Sequence, residues 1–240
     1  AFVVKDILCA TKDELSVYYA ATGPNPTNTL VYRCDLKGNT ELITKEEGTH
    51  SFSLSANGTY FMDGFSSLSV PFKAMLWTNN GKMAKLLMES KEKLTDYNVG
   101  TTEIGSIKGK DGSDLYYRMI KPSNFDPSKK YPVMVYVYGG PHAQMVTNSW
   151  LAGANLWMHW MANQEYIVFT LDNRGSGERG FAFESQIHRQ LGTVEMEDQL
   201  TGVDFLKSLT YVDGNRLAVH GWSFGGFMTT SLMLRQAGVF

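Results

Sequence analysis

The chain has 240 residues, 43% of them apolar, enough to bury a sizeable core as one large domain or as one domain with part of another. Its 22 Lys and Arg are scattered against 24 Asp and Glu, and a formal net charge of -2 leaves no electrostatic footprint for nucleic acid or for an anionic membrane surface. No apolar run approaches the roughly 18 to 20 residues of a membrane helix; Val133 to Tyr138 and Leu151 to Met161 are too short or too interrupted, so no membrane contact is expected from this segment.

The opening Ala1-Phe2-Val3-Val4-Lys5-Asp6 lacks the basic start and small-residue cleavage pattern of a signal peptide. The expectation is a chain that begins inside something longer, or after processing. Cys9 and Cys34 make neither a disulfide framework nor a metal-ligand spacing. From about Glu14 to Met88 the sequence reads as short strands: Leu15, Val17 and Tyr19 alternate, as do Phe52 and Leu54, and Tyr60 and Met62. Lys37-Gly38-Asn39, Asn57-Gly58 and Asn80-Gly81 supply the positive φ that tight hairpins need. Asn57-Gly58-Thr59 also fits the glycosylation acceptor pattern, but the hairpin turn explains the same residues. Such a meander makes one to two four-stranded units with uncovered edges, so it should be part of a larger ring. The charged stretch Glu89 to Asp96 marks the boundary.

Beyond it the periods change. Asp114 to Ile120 and Pro132 to Tyr138 read as strands, Asn148 to Ala162 has helical spacing, and Tyr166 to Leu171 is a continuous apolar strand. Met196, Leu200, Val203, Leu206 and Leu209 form a helical stripe, and Leu217 to Val219 is a further buried strand. Strands alternating with helices predict an α/β domain with a mainly parallel sheet covered by helices on both faces.

Gly221-Trp222-Ser223-Phe224-Gly225-Gly226 follows the strand Arg216 to His220 and leads into Phe227, Met228, Leu232 and Leu234 at helical spacing. A serine on a strained strand-to-helix turn crowds the residues two before and two after it, which explains Gly221 and Gly225. Ser223 is therefore the candidate nucleophile. The helix it opens points free N–H groups at the reacting centre, with the Phe224 amide the natural first oxyanion donor.

At these residues the chain resembles the prolyl oligopeptidase family of serine peptidases, and within it the dipeptidyl peptidase IV branch. The resemblance spans nearly the whole chain and rests on four blocks in order: Tyr136-Val137-Tyr138-Gly139-Gly140-Pro141, Asp172-Asn173-Arg174-Gly175-Ser176-Gly177, Leu191 to Gln199, and Gly221 to Gly226. It implies that 1-95 is the C-terminal part of a β-propeller domain. It also implies that 96-240 is the N-terminal part of an α/β-hydrolase catalytic domain, truncated after the nucleophile helix. Further implications are a second oxyanion donor in the phenol of Tyr138 and peptide substrates with a free N-terminus, cut after a proline or alanine in second place. An extracytoplasmic or periplasmic setting and a homodimer of the full-length protein also follow from it. Phe224 stands where the branch commonly has tyrosine, which leaves its N–H unaffected.

The fold orders its triad as serine, acid, histidine along the chain. Residues 224 to 240 contain neither an acid nor a histidine, so the intact product is expected to continue past Phe240 and this chain alone to be inactive. Among the upstream histidines, strand alternation turns His220 away from the Ser223 side. His142, after the Gly-Gly-Pro turn, is the nearest substitute base, while His50, His159 and His188 look structural or exposed. A rival reading takes Gly175-Ser176-Gly177-Glu178-Arg179-Gly180 as a dinucleotide-binding Gly-x-Gly-x-x-Gly, with Glu195 or Glu197 for the ribose. Against it, Asp172-Asn173-Arg174 intervenes between strand and glycines, and Arg174 could instead pair with a helix acid. A third reading is a propeller-bearing binding module whose hydrolase domain is dead. No cofactor is expected, and no metal, because neither His-Glu-x-x-His nor Cys-x-x-Cys spacing occurs. Trp150, Trp157 and Trp160 fall at helical spacing as a core or interface stripe.

Overall fold

Eight short strands build the first part of the chain in the computed structural model, which describes residues 2–11, 15–91, 94 and 96–240. Ala1, Glu14 at the expected start of the meander, and Glu92, Lys93 and Thr95 of the boundary stretch lie outside the described residues. Strands β1 (Val4–Ala10), β2 (Ser16–Ala21), β3 (Leu30–Asp35) and β4 (Thr40–Leu42) form one antiparallel sheet in that order. Strands β5 (Thr49–Leu54), β6 (Tyr60–Ser67), β7 (Val70–Thr78) and β8 (Met83–Glu89) form a second. The turns at Gly38, Gly58 and Gly81 have the positive φ expected of them, at 84°, 69° and 80°.

Two of the three alternations had the wrong parity. Tyr18 is buried and Leu15 is 55% exposed, and Phe61 is buried where Tyr60 and Met62 are exposed. The reason is that both faces of these strands carry large apolar residues, so a period of two does not select the inner one. Aromatic stacking selects it instead: Tyr18 stacks on Phe52 at 4.8 Å between ring centroids, Phe52 on Phe61 at 5.0 Å, and Phe61 on Trp77 at 6.3 Å. His50 is buried and structural, bonded through Nδ1 to Asp63 (2.9 Å) and through Nε2 to the Glu46 carbonyl (2.9 Å).

The chain divides into two compact units, Ala1–Glu92 with Thr147–Gly153, and Lys93–Val146 with Ala154–Phe240. Asn148 accounts for the extra segment of the first unit. Its amide donates to the Thr27 carbonyl (2.7 Å) and its Nδ2 to Asn28 Oδ1 (2.8 Å), while its Oδ1 and carbonyl accept from Leu68 N (3.1 Å) and Thr49 Oγ1 (3.0 Å). The helix expected over 148 to 162 is accordingly broken. Trp150 lies in a short 3-10 turn ending at Gly153, with Leu151 and Ala152 in the left-handed region, and helix α1 runs only over Leu156–Asn163. Asn155 caps it by accepting from Met158 N at 3.1 Å, a start signal inside the periodic run. The tryptophan stripe is therefore split, and Trp157 and Trp160 on α1 are 38% and 55% exposed rather than core.

The second unit holds a five-stranded sheet ordered β13-β11-β12-β10-β9, built from β9 (Thr101–Lys108), β10 (Asp114–Lys121), β11 (Tyr131–Tyr136), β12 (Ile167–Leu171) and β13 (Val212–His220). Only the β11–β12 and β11–β13 pairings are parallel, and β10 runs antiparallel to both β12 and β9. The sheet is thus half antiparallel, not mainly parallel, because the β9–β10 hairpin, read only in part from the sequence, forms one edge. Val133, Val135, Ile167, Phe169 and Leu171 are buried against Val203 and Leu206 of helix α3 (Val194–Ser208). Burying each such side chain contributes roughly 1.5–3 kcal/mol. Val168 and Ile120 face the other way, onto Met158 and Ala162 of α1. Helix α4 (Phe224–Arg235) buries Met228 and Leu232 against Val137 and Met196. Among the described residues no helix is long and apolar enough to cross a membrane.

Candidate active site

The carboxyl ends of β11, β12 and β13 deliver three short segments. The β13–α4 junction is the sharpest. Ser223 has φ 58° and ψ −119°, a conformation a side-chain-bearing residue adopts only under constraint. The constraint is visible in its neighbours. A Cβ on Gly221 would run into the carbonyl oxygens of Gly225 and Val137, and one on Gly225 into Val137 O, with Tyr138 Cα at 3.3 Å. The end of β11 thus presses against the turn, and only glycine at 221 and 225 admits it. Gly226 is not under that constraint, since its nearest neighbour would be Gly221 O at 3.7 Å.

Ser223 is exposed, and its hydroxyl makes no capping hydrogen bond. The first bonds of α4 run from Gly225 N to Trp222 O (2.8 Å) and from Gly226 N to Ser223 O (2.8 Å), which leaves the Phe224 amide unused at the helix N-terminus. Tyr138 lies beside it, its ring 6.4 Å from the Phe224 ring at 41°. A Cβ on Gly140 would meet Tyr138 Cε1 at 2.6 Å and Phe224 Cγ at 3.2 Å, so the phenol folds back over a turn that glycine keeps open. The structure therefore brings Ser223, Phe224 and Tyr138 together. An exposed hydroxyl next to a free helix-terminal N–H and a phenol can attack a carbonyl and receive the resulting oxyanion.

The histidines do not join them. His220 packs on the opposite sheet face, against Tyr136 (5.8 Å) and Trp157 (5.1 Å). His142, weighed as a substitute base, is exposed and bonds Glu184 through Nδ1 at 2.8 Å, not Ser223. His188 is exposed. His159 is buried with neither ring nitrogen bonded, and burial, with the nearby Arg118, pushes its pKa down to about 4.

The glycine-rich loop after β12 serves packing. Helix α2 (Phe181–Glu184) that follows has only four residues, too short for a pyrophosphate site. The acids offered for a ribose are engaged: Glu195 accepts from Gly192 N and Thr193 N, and Glu197 pairs with Arg174 at 2.6 Å. Arg174 does pair with helix acids, Asp198 being its main partner through Nε and Nη2 at 2.6–3.0 Å. Asp172 and Asn173 have roles that the sequence pattern does not announce. Asp172 accepts the amides of Met145 and Val146 (both 2.9 Å), and burial pushes its carboxyl up to about 6. An acid and an amide directly after the strand Ile167-Val168-Phe169-Thr170-Leu171, apolar but for Thr170, were the available signal.

Two family profiles match the chain: the Prolyl oligopeptidase family over residues 154–240, and the Dipeptidyl peptidase IV (DPP IV) N-terminal region over residues 1–72. The dipeptidyl peptidase 4 of Trichophyton equinum is 32% identical over 246 residues, covering 99% of this chain and 32% of the relative. Among solved structures, a candidate dipeptidyl aminopeptidase IV from Bacteroides ovatus is 44% identical with a TM-score of 0.93, covering 100% of this chain and 34% of that one. Porphyromonas gingivalis dipeptidyl peptidase 4 is 30% identical with a TM-score of 0.91 and the same coverage. The chain spans about a third of the length of the relatives it matches.

Proposed function

The chain belongs to the prolyl oligopeptidase family, and from that premise we propose that it is part of a serine peptidase releasing N-terminal dipeptides, with proline or alanine second, through an acyl-enzyme on Ser223. In this reading residues 1–95 belong to the propeller and 96–240 to the α/β-hydrolase catalytic domain. The observation that carries it is the strained, exposed Ser223 at φ 58°, wedged between β13 and α4 beside Tyr138.

Ser223 Oγ attacks the carbonyl carbon of the substrate's second residue, forming a C–O bond while its proton passes to a histidine base. The carbonyl electron pair moves onto oxygen, where the Phe224 N–H and the Tyr138 hydroxyl receive the charge. Collapse breaks the C–N bond, and the departing amine takes the proton from the histidine. Water then repeats the sequence on the ester and frees the dipeptide. Chain order in this fold assigns the acid and the histidine to sequence after the serine, and residues 224–240 supply neither. The 240 residues assayed by themselves are therefore expected to show no enzyme-like turnover.

The test uses the protein that carries this sequence. A fluorophosphonate probe should label Ser223, and Ser223→Ala should lower Gly-Pro-p-nitroanilide turnover by about a millionfold. Blocking the substrate's amine should abolish cleavage. Unchanged turnover by the alanine variant would overturn the assignment, and failure of the probe to react would favour a dead binding module.

A further inference from the structure

Tyr138 sits at the head of a segment, 137–146, that contains neither helix nor strand. Within it, the backbone bond from Ala143 N to Gly140 O is long at 3.4 Å. A stretch of this kind takes its shape from what it is tied to: Val137 N donates to His220 O (2.9 Å), Arg118 Nη1 donates to Met145 O (2.9 Å) and His142 Nδ1 bonds Glu184 (2.8 Å), and a further set of ties runs to the loop after β12. At the near end, Asn173 Nδ2 donates to Gly139 O (3.4 Å) and to Arg174 O (2.7 Å). Asn173 is itself fixed: it is fully buried, and its Oδ1 accepts from Gln199 Nε2 (3.0 Å), which also donates to Leu171 O (3.1 Å). In the middle, His142 N donates to Gly175 O (3.0 Å), and Gly177 lies against the His142 backbone. At the far end, the Asp172 carboxylate accepts Met145 N and Val146 N, and Val146 is fully buried.

We propose that Asp172 and Asn173 are positioning residues that hold the two ends of the Tyr138 segment and thereby aim its hydroxyl at the oxyanion, an inference that rests on the peptidase reading above. Neither touches substrate. Both lie at the carboxyl end of β12, the strand hydrogen-bonded beside β11, so the sheet itself carries the template. Gly140 transmits the constraint, because Tyr138 Cε1 and Phe224 Cγ both lie against the position its Cβ would take. A displacement of about 1 Å at a positioning group is enough to cost on the order of a hundredfold in rate.

A double-mutant cycle on Gly-Pro-p-nitroanilide hydrolysis tests this. Tyr138→Phe should lower kcat by about 100- to 1,000-fold, as removal of one oxyanion donor does. Asp172→Asn should lower kcat by roughly tenfold or more with KM nearly unchanged. In the Tyr138→Phe background the same substitution should change kcat by less than about twofold, since the hydroxyl it positions is gone. Asn173→Ala, which keeps the Asp172 anchor, provides a second cycle should the first variant fail to fold. Equal losses in both backgrounds would overturn the inference and leave a merely structural role. Fluorophosphonate labelling of the wild type separates the two failures: an unlabelled Ser223 removes the peptidase reading and this inference with it, whereas a labelled Ser223 with additive cycles removes only the inference.

Discussion

Replacing Arg174 by alanine puts the buried polar architecture behind the site to a quantitative test. The guanidinium is nearly buried and makes three contacts to the Asp198 carboxylate, from Nε at 3.0 and 2.9 Å and from Nη2 at 2.6 Å. Asp198 is completely buried, and its hydrogen bonds hold the guanidinium firmly ionised. Truncation leaves the carboxylate with only the Arg174 backbone amide, at 2.8 Å. Breaking a buried pair from one side costs about 3–5 kcal/mol, chiefly the expense of a stranded charge. At about 2–4 °C per kcal/mol for a domain of this size, the melting midpoint of the second unit should fall by roughly 6–20 °C. Circular dichroism during thermal and urea unfolding reads this directly. Adding Asp198→Asn to Arg174→Ala should recover a substantial part of the loss, because the stranded charge is then gone. Glu197→Gln should cost less than about 1 kcal/mol, since Glu197 is 37% exposed. A loss below about 1 kcal/mol for Arg174→Ala, or no recovery in the double variant, would refute the reasoning.

Gly225→Ala forces a Cβ onto the Val137 carbonyl, a backbone atom that cannot rotate away, and should slow fluorophosphonate labelling by about a hundredfold or more. Gly226→Ala meets nothing closer than 3.7 Å and should stay within roughly threefold; equal effects would refute the close-approach account. Asp172 has its carboxyl raised from an ordinary 3.8 to about 6, so its contribution to stability is complete below 3.8 and is lost as pH rises through 6. Comparing urea unfolding of wild type and Asp172→Asn, the balance should move by about 3 kcal/mol toward the asparagine variant between pH 3.5 and pH 7, and a constant gap would contradict it. His159 works in the opposite sense: depressed from 6.5 to about 4, it contributes stability above 6.5 that is lost as pH falls through 4. His159→Leu should therefore gain on wild type by about 3 kcal/mol on acidification, measured the same way.

The strand-to-helix turn at Ser223 was legible because its requirement is local. A positive φ at Ser223 and two close backbone approaches can be met by few residue types, and Gly221 and Gly225 carry that requirement openly. The hairpin glycines were legible for the same reason. What the sequence hid depends on partners far along the chain. Tyr18 and Phe61 point inward because aromatic neighbours on other strands accept them, and both are flanked by equally apolar residues. The break before α1 was masked by tryptophans that mimic a helical period, while Gly153 and Asn155, the real signals, interrupt it only briefly. Asp172 and Asn173 read as ordinary loop residues because the amides and carbonyl they bind lie 26 to 34 positions away.

Asn148 makes four hydrogen bonds within the first unit, although its own position in the sequence lies between β11 and α1. Modularity at the level of the gene and modularity at the level of the fold therefore do not coincide. A recombination event that cut once after Glu92 would deprive Thr27, Asn28, Thr49 and Leu68 of partners in a single step. An exchange between relatives that respects the fold must move Thr147–Gly153 together with the strands it serves.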